Sequence, residues 1–202
     1  MLDLLDYRRR VAEIYTSIRE LGTGAPKAHA RYQSARDELF HSHPQSPLAP
    51  GQKATFQGLA YFDYDPAFRV VARVDTDVEP ARYELNLGED GRLTLEQFGQ
   101  VTFQVPTGTG TLALFWIAGY GGGMFLPFGD ATNGTQTYGG GRYLYDTIKG
   151  ADLGATFDEL VLDFNYAYHP SCHYNPRWVC PLAPPQSKLA FPILAGEKTW
   201  RT

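Results

Sequence analysis

The hydrophobic period of this chain changes once, near Thr55, and that change sets the architecture it can adopt. Before it, Leu4, Tyr7, Val11, Ile14, Tyr15, Ile18 and Leu21 recur at helical spacing, and Gly22 supplies a stop. A second helix starts at Pro26, a residue suited to a first helical position, and runs through Tyr32, Ala35, Leu39 and Phe40. It should end before H-S-H-P. The stretch H-S-H-P-Q-S-P-L-A-P-G, with three prolines, reads as a turn or extended connection.

After Thr55 the period is two. Phe68, Val70, Ala72 and Val74 alternate with polar or mixed positions, and Tyr83, Leu85 and Leu87 alternate with Arg82, Glu84 and Asn86. G-E-D-G, from Gly88 to Gly91, reads as a hairpin connection into Leu93–Leu95. A further strand takes Val101, Phe103 and Val105. The run T-L-A-L-F-W-I-A is apolar on both faces and predicts a central, doubly covered strand. E-L-V-L-D-F-N predicts another strand, and K-L-A-F-P-I-L an edge strand because of Pro192. The expected fold is mainly β: an antiparallel meander closing as a barrel or a sandwich, with two N-terminal α-helices packed on it. Residues 1–45 form the helical segment and 46–202 the β domain, as one structural unit. With 13 Tyr and 12 Phe, the composition suits half-buried strands.

A net charge of -4 argues against a nucleic-acid partner, which needs a basic stripe to displace counterions. The one basic run, Arg8 to Arg10, lies among Asp3, Asp6 and Glu13 and reads as a solvated helix face. Acids interrupt the apolar N-terminal residues, so no signal peptide is expected, and no apolar run reaches membrane-spanning length. A cytoplasmic protein with no membrane partner is the default reading.

Four groups of residues could carry chemistry. Asp163 and Asn165 share one strand face, opposite Leu160, Leu162 and Phe164, so polar-outward alternation points them to solvent, the alternative being a cavity if the strand belongs to a barrel with a lined interior. His169, Cys172, His173 and Cys180 are numerous enough for zinc but lack the spacing of zinc modules, so no metal is expected. The two cysteines read as buried thiols, with a disulfide across the turn at Asn175-Pro176 as the alternative. A thiol nucleophile would need a lowered pKa and a base within reach; adjacency of His173 in sequence does not supply that. His41 and His43 read as a surface pair. No hydrolase nucleophile elbow, phosphate-binding loop or dinucleotide fingerprint is present, so no cofactor is expected. Lastly, D-A-T-N-G-T-Q-T-Y-G-G-G-R-Y, Asp130 to Tyr143, sets a glycine turn able to expose backbone N–H groups beside Arg142. Arg142 can pair inward with Asp130 or Asp163, or reach outward to an anionic ligand.

The segments F-L-P-F-G-D-A-T-N-G-T-Q-T-Y-G-G-G-R-Y-L, L-D-F-N-Y-A-Y-H-P-S-C-H-Y-N-P-R-W-V-C-P-L-A-P-P and A-G-E-K, with the upstream S-P-L and F-Q-G-L-A-Y-F, resemble the bacterial family catalogued as domain of unknown function 1684. The likeness runs from about Arg31 to Lys198. It implies a pattern containing Asp130, Thr132, Gly134, Thr137, Tyr138, Gly141, Arg142 and Tyr143. The same pattern includes Asp163, Asn165, Tyr168, Cys172, Tyr174, Asn175, Cys180 and Glu197. It implies no established activity. The family usually carries Asn where this chain has His169, so metal ligation by the histidines is not implied. Gly129 likewise stands where an Arg is common. Some relatives resemble exported proteins, and in them the resemblance implies a disulfide.

Together these residues predict that the Asp130–Tyr143 loop, Asp163/Asn165 and the Cys172–Cys180 segment converge on one side as a small-molecule site, binding or catalytic. Its expected ligand contacts are Asp130, Thr137, Tyr138, Gly140, Gly141, Arg142, Asp163, Asn165 and Asn175, with Asp163 and Tyr138 as catalytic candidates. The alternative is a non-enzymatic module in which the same residues form a buried hydrogen-bonded network.

Overall fold

In the computed structural model, which describes residues 1–88 and 91–200, the helices come first. Helix α1 spans Leu2–Leu21 and buries Val11, Tyr15 and Ile18, one stripe at spacings of four and three. Gly22, at φ 82°, ends it. Helix α2 spans Pro26–Ser42, two residues beyond the expected stop, and buries His29 and Arg36 along with Tyr32, Leu39 and Phe40. The proline-rich connection does not stay extended. It finishes as a short helix α3, Pro50–Thr55, because Pro50 sits where a missing N–H costs nothing. The expected surface pair of histidines divides: His41 is exposed, whereas His43 is buried, bonding Asp6 through Nε2 at 3.2 Å and accepting from Gln45 N–H at 3.0 Å.

Seven antiparallel strands follow: β1 Arg69–Asp75, β2 Ala81–Asn86, β3 Arg92–Val105, β4 Gly108–Ile117, β5 Gly123–Phe128, β6 Arg142–Asp146 and β7 Glu159–Asp163. Their order is β6-β5-β4-β3-β1-β7, with β2 also paired to β3. The sheet curls into a half-barrel, and α1 and α2 pack against it. The β2–β3 hairpin closes with Leu87 N–H on Gly91 O at 2.8 Å; Glu89 and Asp90 of its expected G-E-D-G turn lie outside the described residues. The two strands expected around Leu93 and Val101 are one, β3, continued through a bulge between Gln97 and Gly99. A side chain at Gly99 would come within 2.9 Å of Asp75 O, so glycine lets β1 approach.

Two corrections concern the later chain. Strands β5 and β6 lie where no strand is expected; residues 129–141 connect them, and Arg142 and Tyr143 belong to β6 itself. The expected edge strand K-L-A-F-P-I-L is irregular, meeting the sheet at a bridge between Gly129 and Lys188. Pro192 offers no N–H to a ladder, and its carbonyl instead accepts from Thr107 Oγ1 at 2.7 Å.

Strand β4 divides its side chains between two cores. Leu112 and Leu114 join the main cluster with Tyr15, Tyr32, Phe103, Phe128 and Phe164, while Ala113, Phe115 and Ile117 join Leu95, Phe125 and Tyr143 on the other face. That two-sided burial explains the unbroken apolar run, and each such Leu or Phe contributes about 1.5–3 kcal/mol. The helices share the main core with the sheet. A smaller cluster of Phe40, Leu48 and Tyr174 ties α2 to the cysteine segment. Among the described residues, no helix is long and apolar enough to cross a membrane.

Candidate functional site

Arg142 opens β6 and is completely buried. Nη2 donates to Asp130 Oδ2 at 2.9 Å and to Ile193 O at 2.9 Å; Nη1 donates to Ala195 O at 2.5 Å and to Glu197 O at 3.3 Å. Asp130 is equally occupied: Oδ1 accepts from Thr132 N–H, Thr132 Oγ1 and Ile193 N–H. Thr137 Oγ1 closes the loop on Thr132 Oγ1 at 2.8 Å. The guanidinium therefore reaches inward, pinning the irregular C-terminal segment to the loop, and its terminal nitrogens are all engaged. The glycines serve close approach. A Cβ on Gly141, at φ +89°, would lie 2.5 Å from Phe128 O, and one on Gly140 would meet the Tyr138 ring at 2.5 Å.

Asp163 and Asn165 are buried, against the expected polar-outward alternation. The reason is local. Strand β7 stops at Asp163, and Phe164–Tyr166 form a 3-10 turn whose Asn165 N–H the Asp163 carboxylate caps. Asp163 Oδ1 accepts from Asn165 N–H at 3.2 Å and from Asn165 Nδ2 at 2.9 Å, and Oδ2 faces Arg69 Nε at 3.8 Å. Asn165 spends its amide on Asp65, donating to its carbonyl at 2.9 Å and accepting from its N–H at 3.0 Å. Burial raises the Asp163 carboxyl to about 6, against the opposing pull of Asn165 and Arg69. Its partners are thus Arg69 and Asn165, not Arg142.

The loop and the cysteine segment do meet. Tyr138 N–H donates to His169 Nε2 at 3.1 Å, and the Tyr138 hydroxyl lies 3.8 Å from Cys172 Sγ. Tyr143 donates to Pro181 O at 2.5 Å. Asn175 turns the chain, its Oδ1 accepting from Arg177 N–H at 3.0 Å. The His169 and His173 rings meet at a tilt of 41° with centroids 4.3 Å apart, and His173 Nε2 accepts from Trp200 N–H at 3.3 Å. Both Nε2 lone pairs are thereby committed to backbone donors. Among the described residues, no three His, Cys, Asp or Glu side chains could share a metal ion.

Behind this junction lies a cavity of about 60 Å³, walled by α1, α2, the end of β6 and the His169–Cys180 segment. Tyr15, Arg36, Lys149, His169 and Cys180 are among its lining residues. Arg36 is 6% exposed; its Nη2 pairs with the buried Glu197 Oε2 at 3.2 Å, and its guanidinium stacks 5.1 Å from the Tyr168 ring. Glu197 also accepts from His169 N–H at 2.9 Å and from the Tyr174 hydroxyl. Burial raises its carboxyl above the usual range, with Arg36 and Tyr174 opposing. Three buried polar atoms of the lining have no hydrogen-bond partner: Tyr15 Oη, Arg36 Nε and His169 Nδ1. The Tyr32 phenol is near Tyr15 but outside bonding geometry, and gives its own proton to Tyr166 O at 3.1 Å.

The model of the family described as "Protein of unknown function (DUF1684)" matches residues 54–198. The chain belongs to this family. The DUF1684 region includes the loop, the cysteine segment and Glu197, but not α1 or α2. The chain is also similar to the solution structure of an uncharacterised protein from Haloarcula marismortui. Identity is 33%, covering 83% of this chain and 90% of that one, with a TM-score of 0.59. No curated protein matches.

The cavity draws on residues outside the expected site: Tyr15, Arg36 and Lys149. Arg36 carried a readable signal. It stands four residues after Tyr32 and three before Leu39, on the buried stripe of α2, where a lone cation is out of pattern. Tyr15 carried none, since an aromatic at that position reads as core.

Proposed function

We propose that the protein binds a small molecule bearing acceptor oxygens, of the carboxylate type, in the cavity between α1, α2 and the His169–Cys180 segment. The observation that carries this reading is the identity of the unpartnered atoms. Each is a donor. His169 Nε2 already accepts from Tyr138 N–H, so Nδ1 holds the proton. Burial keeps the Tyr15 phenol protonated, raising it well above 10. Arg36 Nε–H has no acceptor. Buried donors left unpaired cost about 1–3 kcal/mol each, so an acceptor-rich occupant is favoured over an apolar one. The volume of about 60 Å³ is several times that needed by one water, and suits a compact ligand.

Thermal melts in sodium acetate, against acetamide and against sodium chloride at equal ionic strength, test this. Acetate should raise the melting temperature, by about 5–10 °C at a hundredfold excess over its dissociation constant and further with the logarithm of its concentration. The Tyr15→Phe variant should need at least about tenfold more acetate for the same shift, on the order of one lost charge-assisted hydrogen bond. An equal response in that variant would overturn the reading.

The Asp130–Arg142 pair favours a second, structural role for its own loop. Full engagement of the Arg142 terminal nitrogens supports a buried network that fixes the C-terminal segment, as do the turn-forming contacts of Asp163, Asn165 and Asn175.

A further inference from the structure

Cys172 and Cys180 are brought together by the fold. Cys180 Sγ accepts from Cys172 N–H at 3.4 Å, and the Tyr138 hydroxyl lies 3.8 Å from Cys172 Sγ. Both thiols are free and half-buried, so a small reagent can reach them. We propose that Cys172 and Cys180 form a thiol–disulfide exchange site, in which Cys172 attacks a low-molecular-weight disulfide and Cys180 resolves the product. This does not depend on the carboxylate reading of the neighbouring cavity, and its test is separate.

The steps balance. The Cys172 thiolate attacks one sulfur of R–S–S–R; the S–S bond breaks, and RS⁻ leaves and takes a proton from solvent. Cys180 then gives up its proton and attacks Cys172 Sγ, expelling the second RS⁻, which is protonated in turn. Two cysteine thiols are oxidised to one internal disulfide, and one R–S–S–R is reduced to two R–SH.

The surroundings assign the roles. Cys172 is lowered to about 6, chiefly by hydrogen bonding with Cys180; burial opposes this, and Tyr138 and the charge of Lys149 add to it. Cys180 is pushed up by its bond to Cys172 and by burial. A thiolate at Cys172 holds the proton on Cys180. Once Cys172 is tied up in a mixed disulfide its charge is gone, and Cys180 is released to ionise. Tyr138 stays protonated, raised to about 12 by burial and by the Cys172 thiol. His173 is not the base, since burial lowers it to about 4 and its Nε2 is held by Trp200 N–H.

The test treats the whole protein with glutathione disulfide, quenches with iodoacetamide and maps each cysteine by mass spectrometry. Wild type should lose two hydrogens and yield a Cys172–Cys180 linked peptide. Cys180→Ser should stop at a glutathione adduct on Cys172. In wild type, limiting iodoacetamide at pH 7 should label Cys172 at least about tenfold faster than Cys180, which needs no variant to fold. Tyr138→Phe should slow Cys172 labelling several-fold at pH 6. Equal labelling of the two cysteines, or a wild-type adduct that never proceeds to the internal disulfide, would overturn the proposal.

Discussion

Replacing Arg142 by Met removes the ion pair to Asp130 at 2.9 Å and the donors to the carbonyls of Ile193, Ala195 and Glu197 while keeping most of the side-chain volume. Both partners of the pair are fully buried. Breaking such a pair from one side costs about 3–5 kcal/mol, because the remaining charge stays buried. The stranded carbonyls add to this, though not additively, so the total should be about 4–6 kcal/mol. For a chain of this size each kcal/mol shifts the melting temperature by about 2–4 °C, giving a fall of roughly 8–24 °C by calorimetry. Arg142→Lys keeps a charge beside Asp130 but lacks the planar fork, and should fall in between. It also remains readable if the Met variant does not fold. In the double variant Asp130→Asn/Arg142→Met the losses should sum to less than the two singles. A melting temperature within about 2 °C of wild type for Arg142→Met would refute the inward-facing network.

Gly141→Ala should cost at least about 2 kcal/mol by urea denaturation, since φ +89° and the 2.5 Å approach to Phe128 O both resist a side chain; a neutral result would show that the turn relaxes freely. Acid should weaken the wild type relative to His169→Asn. Burial and the neighbouring His173 hold His169 well below 6.5, so below pH 6.5 the unfolded chain binds the extra proton and stability is lost as pH falls. The difference in stability between the two proteins should therefore shift in favour of the variant below pH 6.5, and a pH-independent difference would contradict this. Asp163 works in the opposite sense. Its carboxyl is raised from 3.8 to about 6, so the folded form protonates first and gains stability between pH 6 and 3.8; Asp163→Asn should abolish that component of the pH profile. Tyr15→Phe removes a buried donor with no partner, worth about 1–3 kcal/mol, and in calorimetry should melt about 2–12 °C above wild type in the absence of carboxylates.

Much of the frame was legible because it rests on periodicity. Tyr15, Ile18, Tyr32 and Leu39 mark the buried stripes of both helices, and the two-sided run Leu112–Ile117 marks β4 as central. Strand β6 was not legible. R-Y-L-Y-D places an Arg and an Asp on a segment that is buried throughout, and only tertiary partners make that tolerable. Asp163 and Asn165 depart from strand alternation because β7 turns into a 3-10 segment at Phe164. The cavity was hidden for another reason. It is assembled from α1, α2 and a segment more than a hundred residues later, so no local spacing connects Tyr15 and Arg36 with His169. The contact between the cysteines, by contrast, spans a short turn and was open to sequence reasoning.

The carboxylate-binding reading is tested most directly by a high-resolution crystal structure grown in sodium acetate. One carboxylate should occupy the cavity, its oxygens within hydrogen-bonding distance of Tyr15 Oη, Arg36 Nε and His169 Nδ1. Ordered water alone in that cavity, at acetate concentrations that raise the melting temperature, would contradict it.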